Sequence, residues 1–103
     1  MPKMSEKTVQ DAAETLKAVA HPVRLQIVEL LQEGEKSVGE IAQKIGSKQS
    51  ITSQQLSMMK DREVLECRRE GAKVYYRIKN PNIIKLLHCI YKHRENSKET
   101  ENN

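Results

Sequence analysis

The chain has 103 residues with no Phe or Trp, and its 18 basic and 14 acidic side chains give a net charge of +4. This length allows one domain with a modest aliphatic core. No apolar run approaches the about 20 residues that a membrane-spanning helix needs, so no membrane insertion is expected. Two cysteines without a CxxC pair, and the lack of a secretory signal, predict a reduced, cytoplasmic protein.

The positive charge is concentrated in the middle of the chain. Residues 44–79 carry 9 basic and 4 acidic side chains, a net charge of +5, whereas residues 1–43 have a net charge of −2 and residues 80–103 of +1. A local basic field of this kind favours a polyanionic partner.

Three helices are predicted before residue 47. Ser5 suits the N-cap of the first helix, which should end near His21, and Pro22 suits the first turn of the second. Ser37 and Glu40 match the S-x-x-E capping box, which predicts a third helix from Val38 to Gly46. Their apolar faces are expected to contain Val9, Ala12, Ala13, Leu16 and Val19, then Val23, Ile27, Leu30 and Leu31, then Ile41, Ala42 and Ile45.

A fourth helix over residues 49–60 has an unusual composition. Thr52, Leu56 and Met59 share one narrow apolar side, and the opposite side is polar but almost uncharged. Ser and Thr are indifferent helix formers, so a requirement other than stability is indicated. Gln and Ser can both donate and accept hydrogen bonds, which suits base edges in a DNA major groove. An ordinary solvated face is the alternative interpretation.

The connection between the third and fourth helices is so short that it predicts a helix-turn-helix. After Arg62 the apolar spacing changes to two, with Leu65 and Cys67 on one strand facing Tyr76 and Ile78 on the next. Residues 70–73 should form the turn. The resulting hairpin resembles a basic wing, with Arg68, Arg69, Lys73 and Arg77 along it.

The last predicted helix starts at Asn80 and Pro81 and has an apolar surface wider than one face. A core of this size cannot cover both sides of it, which predicts a twofold homodimer built from the first and last helices. Residues 1–103 form one predicted domain, with disordered ends at about 1–5 and 95–103. The predicted interface residues are Val9, Ala13, Leu16, Ile83, Leu87, Ile90 and Tyr91.

Three segments in this order resemble the ArsR/SmtB family of bacterial repressors: residues 16–25 (LKAVAHPVRL), 47–56 (SKQSITSQQL) and 68–76 (RREGAKVYY). The resemblance covers roughly residues 8–93 and implies a mainly α, winged helix-turn-helix homodimer that binds a palindromic DNA operator and is released by an inducer. Gln54 and Gln55 stand where His is common in the family, and Glu63 stands where Gly is common. The predicted DNA-binding residues are Lys48, Gln49, Ser50, Ser53, Gln54, Gln55, Arg68, Arg69 and Lys73.

The sequence departs from the family at its sensing sites. A family cysteine site would fall on Ser37 and Gly39, and the oxidant-sensing cysteine of the second helix would fall on Glu29. The other common metal site falls on Asn80, Asn82, His93 and Asn96, and amides are poor ligands for zinc-like ions. We therefore predict no family metal site and no cofactor. No catalytic residues are predicted either, because the sequence has no Gly-rich phosphate loop, no nucleophile with a plausible base and no buried carboxylate pair.

Two alternatives remain open from the sequence. Cys89 and His93 are four residues apart, so two copies across a dimer axis could form a Cys2His2 metal- or thiol-responsive site. Otherwise Cys89 is a small core residue and His93 an exposed one. The second alternative is a winged helix that binds protein partners instead of DNA, which gives no reason for the +5 charge of residues 44–79.

Overall fold

The computed structural model describes the backbone of residues 5–101 and the side chains of residues 5–92. Within this part of the chain, five helices and three short strands are formed, which confirms the predicted fold class. The elements are α1 (Glu6–Val19), α2 (Pro22–Leu31), β1 (Lys36–Ser37), α3 (Val38–Ile45), α4 (Gln49–Asp61), β2 (Leu65–Glu70), β3 (Lys73–Ile78) and α5 (Asn82–Glu101).

The first two helices begin where side chains satisfy their free N–H groups. The Ser5 hydroxyl accepts a hydrogen bond from the Thr8 backbone N–H at 3.2 Å. His21 is the N-cap of α2, and its Nδ1 accepts from the Val23 N–H at 3.2 Å, with Pro22 at the first helical position. The predicted junction role of His21 is therefore confirmed, and its ring nitrogen is used within the fold.

The capping box of α3 is formed as predicted. The Glu40 N–H donates to the Ser37 hydroxyl at 3.2 Å, and the Ser37 N–H donates to the Glu40 carboxylate at 3.1 Å. Gly46 ends the helix in the left-handed conformation, with φ of 70°. This conformation turns the chain back towards α4 within three residues.

The hairpin has the predicted register, and a third strand extends it. Leu65 pairs with Ile78 and Cys67 with Tyr76. The two-residue strand β1 pairs with the other edge of β3, so the sheet order is β1-β3-β2. Strand β1 was not predicted, because two residues are too few to show an alternating pattern.

The core surrounds α2, which contacts α1, α3, α4, α5 and β3. A helix covered on several sides buries more than one stripe, so Val28 is buried together with the predicted Ile27 and Leu31. The core contains Ala18, Val19, Ile27, Val28, Leu31, Ile41, Leu56, Met59, Val64, Leu65, Tyr76, Ile83 and Leu87.

Helix α5 differs from its prediction at both ends. It begins at Asn82, one or two residues later than expected, and the Asn80 side chain accepts a hydrogen bond from the Asn82 N–H at 3.1 Å. It continues to Glu101, although residues 95–101 were predicted to be disordered. These residues lack Pro and Gly, which would interrupt a helix. Ser5 is the α1 N-cap, as predicted, although it also fell at the edge of the end that was predicted to be disordered. Residues 1–4, 102 and 103 lie outside the described residues.

Among the described residues, no helix is long and apolar enough to cross a bilayer.

The turn after α4 contains a strained residue at the position where the family commonly has Gly. Glu63 has φ of 66°, and its carboxylate forms an ion pair with Lys79. We expect Glu63→Gly to be more stable than Glu63→Ala by about 1 kcal/mol, because a left-handed conformation costs a residue with a Cβ atom roughly 1–2 kcal/mol. Both variants lose the ion pair, so urea denaturation of the two isolates the backbone effect. Equal midpoints would contradict strain at this position.

Candidate nucleic-acid interface

Helix α4 is anchored by its apolar side and presents its polar side to solvent. Thr52, Leu56 and Met59 are fully buried, which confirms the predicted apolar seam. Helices α3 and α4 pack against each other across the short turn that starts at Gly46 and form the predicted helix-turn-helix. The side chains on the opposite face are all exposed: Gln49, Ser50, Ser53, Gln54 and Ser57. Ile51, which is not among the predicted DNA-binding residues, is also exposed.

The N-terminus of α4 has no side-chain cap. Lys48 is the N-cap residue and makes no capping hydrogen bond, while the Thr52 hydroxyl donates back to the Lys48 carbonyl at 2.9 Å. The first N–H groups of the helix therefore lack the carboxylate or hydroxyl that usually satisfies them. Together with the exposed Lys48 and the helix dipole, this end of α4 is suited to contact an anion such as a phosphate.

The wing and the start of α4 lie on either side of one cleft. The cleft has a volume of about 240 Å³. Its lining includes Gln49 from α4, Gly39 from α3, and Ala72 and Lys73 from the hairpin. Lys73 and Arg69 are exposed. Gly71 has φ of 61°, the conformation that Gly favours at the first position of a two-residue hairpin turn, so the wing tip is tight. The fold thus brings the wing tip and the polar helix to one surface.

Arg68 is held at the base of the wing by acidic partners. It forms ion pairs with Glu35 at 2.5 Å and Glu70 at 2.9 Å, and its guanidinium lies 4.5 Å from the centre of the Tyr75 ring. The hydrogen bonds from Arg68 hold the pKa of the Glu35 carboxyl below its ordinary value. The stabilising effect of this pair is therefore present above the ordinary carboxyl pKa and is lost as the pH falls. Arg68 serves here to attach the wing to the loop before β1.

Gln55 makes a contact that the sequence did not reveal. It is half-buried, and its side-chain oxygen accepts a hydrogen bond from Arg24 Nε at 2.8 Å. Arg24 also donates from Nη1 to the Lys17 carbonyl in the last turn of α1 at 3.2 Å. Arg24 and Lys17 stand in the same segment on which the family resemblance depends, but Gln55 is 31 positions away from Arg24 along the chain.

The residues predicted at a subunit interface divide into two groups. Val9, Leu16 and Ile90 are 53%, 49% and 47% exposed, and Ala13 is also exposed. Ile83 and Leu87 are only 3% exposed within the single chain and belong to its core, so they leave little accessible surface for the predicted interface. Tyr91 is half-buried. Leu86, which is not among the predicted interface residues, is exposed.

Neither cysteine belongs to a group of metal ligands in the described part of the chain. Cys89 is exposed, so the alternative of a core cysteine is wrong, and Cys67 is half-buried. In residues 5–92, no cluster of three or more His, Cys, Asp or Glu side chains could hold a metal ion. The side chain of His93, the possible partner of Cys89, lies outside the described residues.

This fold and surface define a winged helix-turn-helix protein. Residues 21–66 match the model of the ArsR family of bacterial regulatory proteins. The chain is 42% identical over 92 residues to the transcriptional repressor PagR of Bacillus anthracis. This alignment covers 85% of this chain and 92% of PagR. The chain belongs to the ArsR family.

Solved structures agree with this assignment. The crystal structure of the transcriptional repressor BigR from Xylella fastidiosa is similar with a TM-score of 0.77 and 39% identity, covering 84% of this chain and 89% of that one. The solution structure of the homodimeric winged helix-turn-helix DNA-binding domain Mb0332 from Mycobacterium bovis also gives a TM-score of 0.77, at 32% identity, covering 92% of this chain and 91% of that one.

Proposed function

We propose that this protein is a homodimeric transcriptional repressor that binds a palindromic DNA operator and leaves it in response to a signal. Its action is binding without catalysis. Helix α4 would lie in the major groove, and the β2–β3 hairpin would contact the adjacent backbone or minor groove. The family assignment and the repressor relatives support this function.

The observation that carries the proposal is the exposed face of α4. Gln49, Ser50, Ser53 and Gln54 offer donors and acceptors without charge, which is the chemistry that distinguishes base pairs in the major groove. Ile51 adds an exposed apolar surface of the kind that contacts the methyl group of thymine. Lys48 and Lys73 are exposed, and in this proposal they would contact phosphates.

The homodimer is supported by the exposed apolar side chains of α1 and α5. A single chain leaves Val9, Leu16, Leu86 and Ile90 in contact with water. Pairing these helices with their copies would bury them and would present two α4 helices to the two halves of a palindrome.

The test is a comparison of two variants on specific and non-specific DNA. The operator is first obtained by selection from a randomised duplex library. We expect Gln54→Ala to weaken operator binding by about 1–3 kcal/mol and to leave random DNA binding nearly unchanged, because a groove-facing amide reads bases. Lys73→Ala should weaken binding to operator and random DNA alike. It should also reduce the slope of log affinity against log salt concentration by about one unit if the wing tip contacts a phosphate.

Fluorescence anisotropy across a salt series measures both quantities. Equal loss on operator and random DNA in Gln54→Ala would show that this residue does not read sequence. Failure of the wild-type protein to enrich any sequence, together with weak salt dependence, would instead favour a winged helix that binds protein partners.

A further inference from the structure

Arg24 connects three helices through one guanidinium group. It stands in the first turn of α2, donates from Nη1 to the carbonyl of Lys17 in α1, and donates from Nε to the side chain of Gln55 in α4. The residues Arg24 and Gln55 are 31 positions apart, so this contact exists only in the folded chain.

The chemistry of arginine determines which end of the Gln55 amide faces it. A guanidinium has five N–H donors and no acceptor. Only the amide oxygen of Gln55 can therefore accept the hydrogen bond from Arg24 Nε, which is 2.8 Å long. The orientation of the amide follows from this pairing and not from a choice between two similar atoms.

The other end of the amide is left available. No hydrogen bond from the Gln55 NH2 group to another described residue is present, and the described residues include no buried side-chain nitrogen or oxygen atom without a partner. Since the Gln55 NH2 nitrogen has no such partner, it is not a buried atom and is accessible to solvent. Gln55 lies next to the exposed Gln54 on α4.

A donor-only group has a different base preference from a free glutamine. A free Gln amide pairs with adenine by accepting from N6 and donating to N7. An NH2 group whose oxygen is occupied can only donate, and guanine presents two neighbouring acceptors, N7 and O6, whereas adenine presents one acceptor beside a donor.

We infer that Arg24 is a positioning residue that holds Gln55 as a donor-only reader, so that the position contacted by Gln55 favours guanine over adenine. This inference rests on the proposed function, since it requires α4 to enter the major groove. Arg24 acts through Gln55 and need not touch DNA itself.

The experiment uses the full chain and compares sequence preferences, not affinity alone. Wild type, Gln55→Met, Arg24→Met and Arg62→Met each select duplexes from a randomised library. The base-pair position at which Gln55→Met loses the base preference of the wild type is the position that Gln55 contacts. There we expect wild type to favour guanine and Arg24→Met to shift towards adenine by about fivefold or more, the lower end of a well-placed base contact.

Arg62→Met is the matched control. Arg62 forms an ion pair with Glu14 and so also connects α4 with α1, but it has no hydrogen bond to Gln55. Its base preference should equal that of the wild type.

A further variant, Gln55→Glu, tests the donor role of Gln55 directly. It keeps an oxygen for Arg24 and replaces the NH2 donors with an acceptor, so the base preference should move from guanine to cytosine, whose N4 is a donor.

Three results would overturn the inference. Arg24→Met could weaken all sequences alike and reduce the salt slope by about one unit, which would make Arg24 a phosphate contact. Gln55→Met could leave every base preference unchanged, or Gln55→Glu could still favour guanine. If Arg24→Met does not fold, Gln55→Glu alone decides. Failure of the wild type to enrich any sequence would instead refute the proposed function.

Discussion

Leu87→Glu is expected to unfold the chain. Leu87 is 3% exposed and packs in the core that surrounds α2, so the substitution would remove a buried aliphatic group and place a carboxylate there without a partner. Such a change costs several kcal/mol, which is a large part of the about 5–15 kcal/mol that stabilises a typical domain. Circular dichroism during heating should show no cooperative transition near that of the wild type.

The neighbouring Leu86 offers a matched control for this prediction. It is on the same helix and is exposed, so Leu86→Glu should retain a cooperative unfolding transition in the single chain. A well-folded Leu87→Glu variant with a normal melting temperature would show that α5 does not pack on the core as the structure has it.

Ile90→Glu is expected to give a folded monomer that has lost operator binding. Ile90 is 47% exposed in the single chain and belongs to the apolar surface that we propose as the subunit interface. Placing a carboxylate in that interface would favour the separated subunits, because a buried charge without a partner is costly. Affinity for the palindromic operator should fall by about 10²-fold or more, since the two half-sites are no longer bound together.

Sedimentation, thermal unfolding and operator titration together check this expectation. Lys85→Glu is the control, because it introduces a carboxylate at an exposed polar position of the same helix. It should sediment as a dimer. Finding Ile90→Glu as a dimer with normal operator affinity would place the interface elsewhere on the molecule.

Much of the candidate DNA-binding surface could be predicted because it depends on one helix. The burial of Thr52, Leu56 and Met59 follows from their spacing, and the exposure of the opposite face follows from that burial. The roles of Arg68 and Gln55 could not be predicted in the same way. Arg68 was predicted to contact DNA, but its partner Glu35 is 33 residues away, and no spacing rule connects the two.

Features that arise between residues close together in the chain could be predicted from the sequence. The caps at Ser5 and Ser37, the helix junction at His21 and the hairpin register around Gly71 all depend on contacts within a few residues. Caps and turns of this kind have recognisable patterns because their geometry is local.

Which apolar side of α5 the chain itself covers depends on how the helix packs in the folded molecule. Ile83 and Leu87 face the core, and His88 lies 3.0 Å from the Gln32 side-chain oxygen at the end of α2, whereas Leu86 and Ile90 remain exposed. Both pairs have the same apolar character, so composition cannot distinguish them. The distinction follows from the direction in which α5 leaves the sheet and docks on α2, because that direction is set by packing between elements distant in sequence.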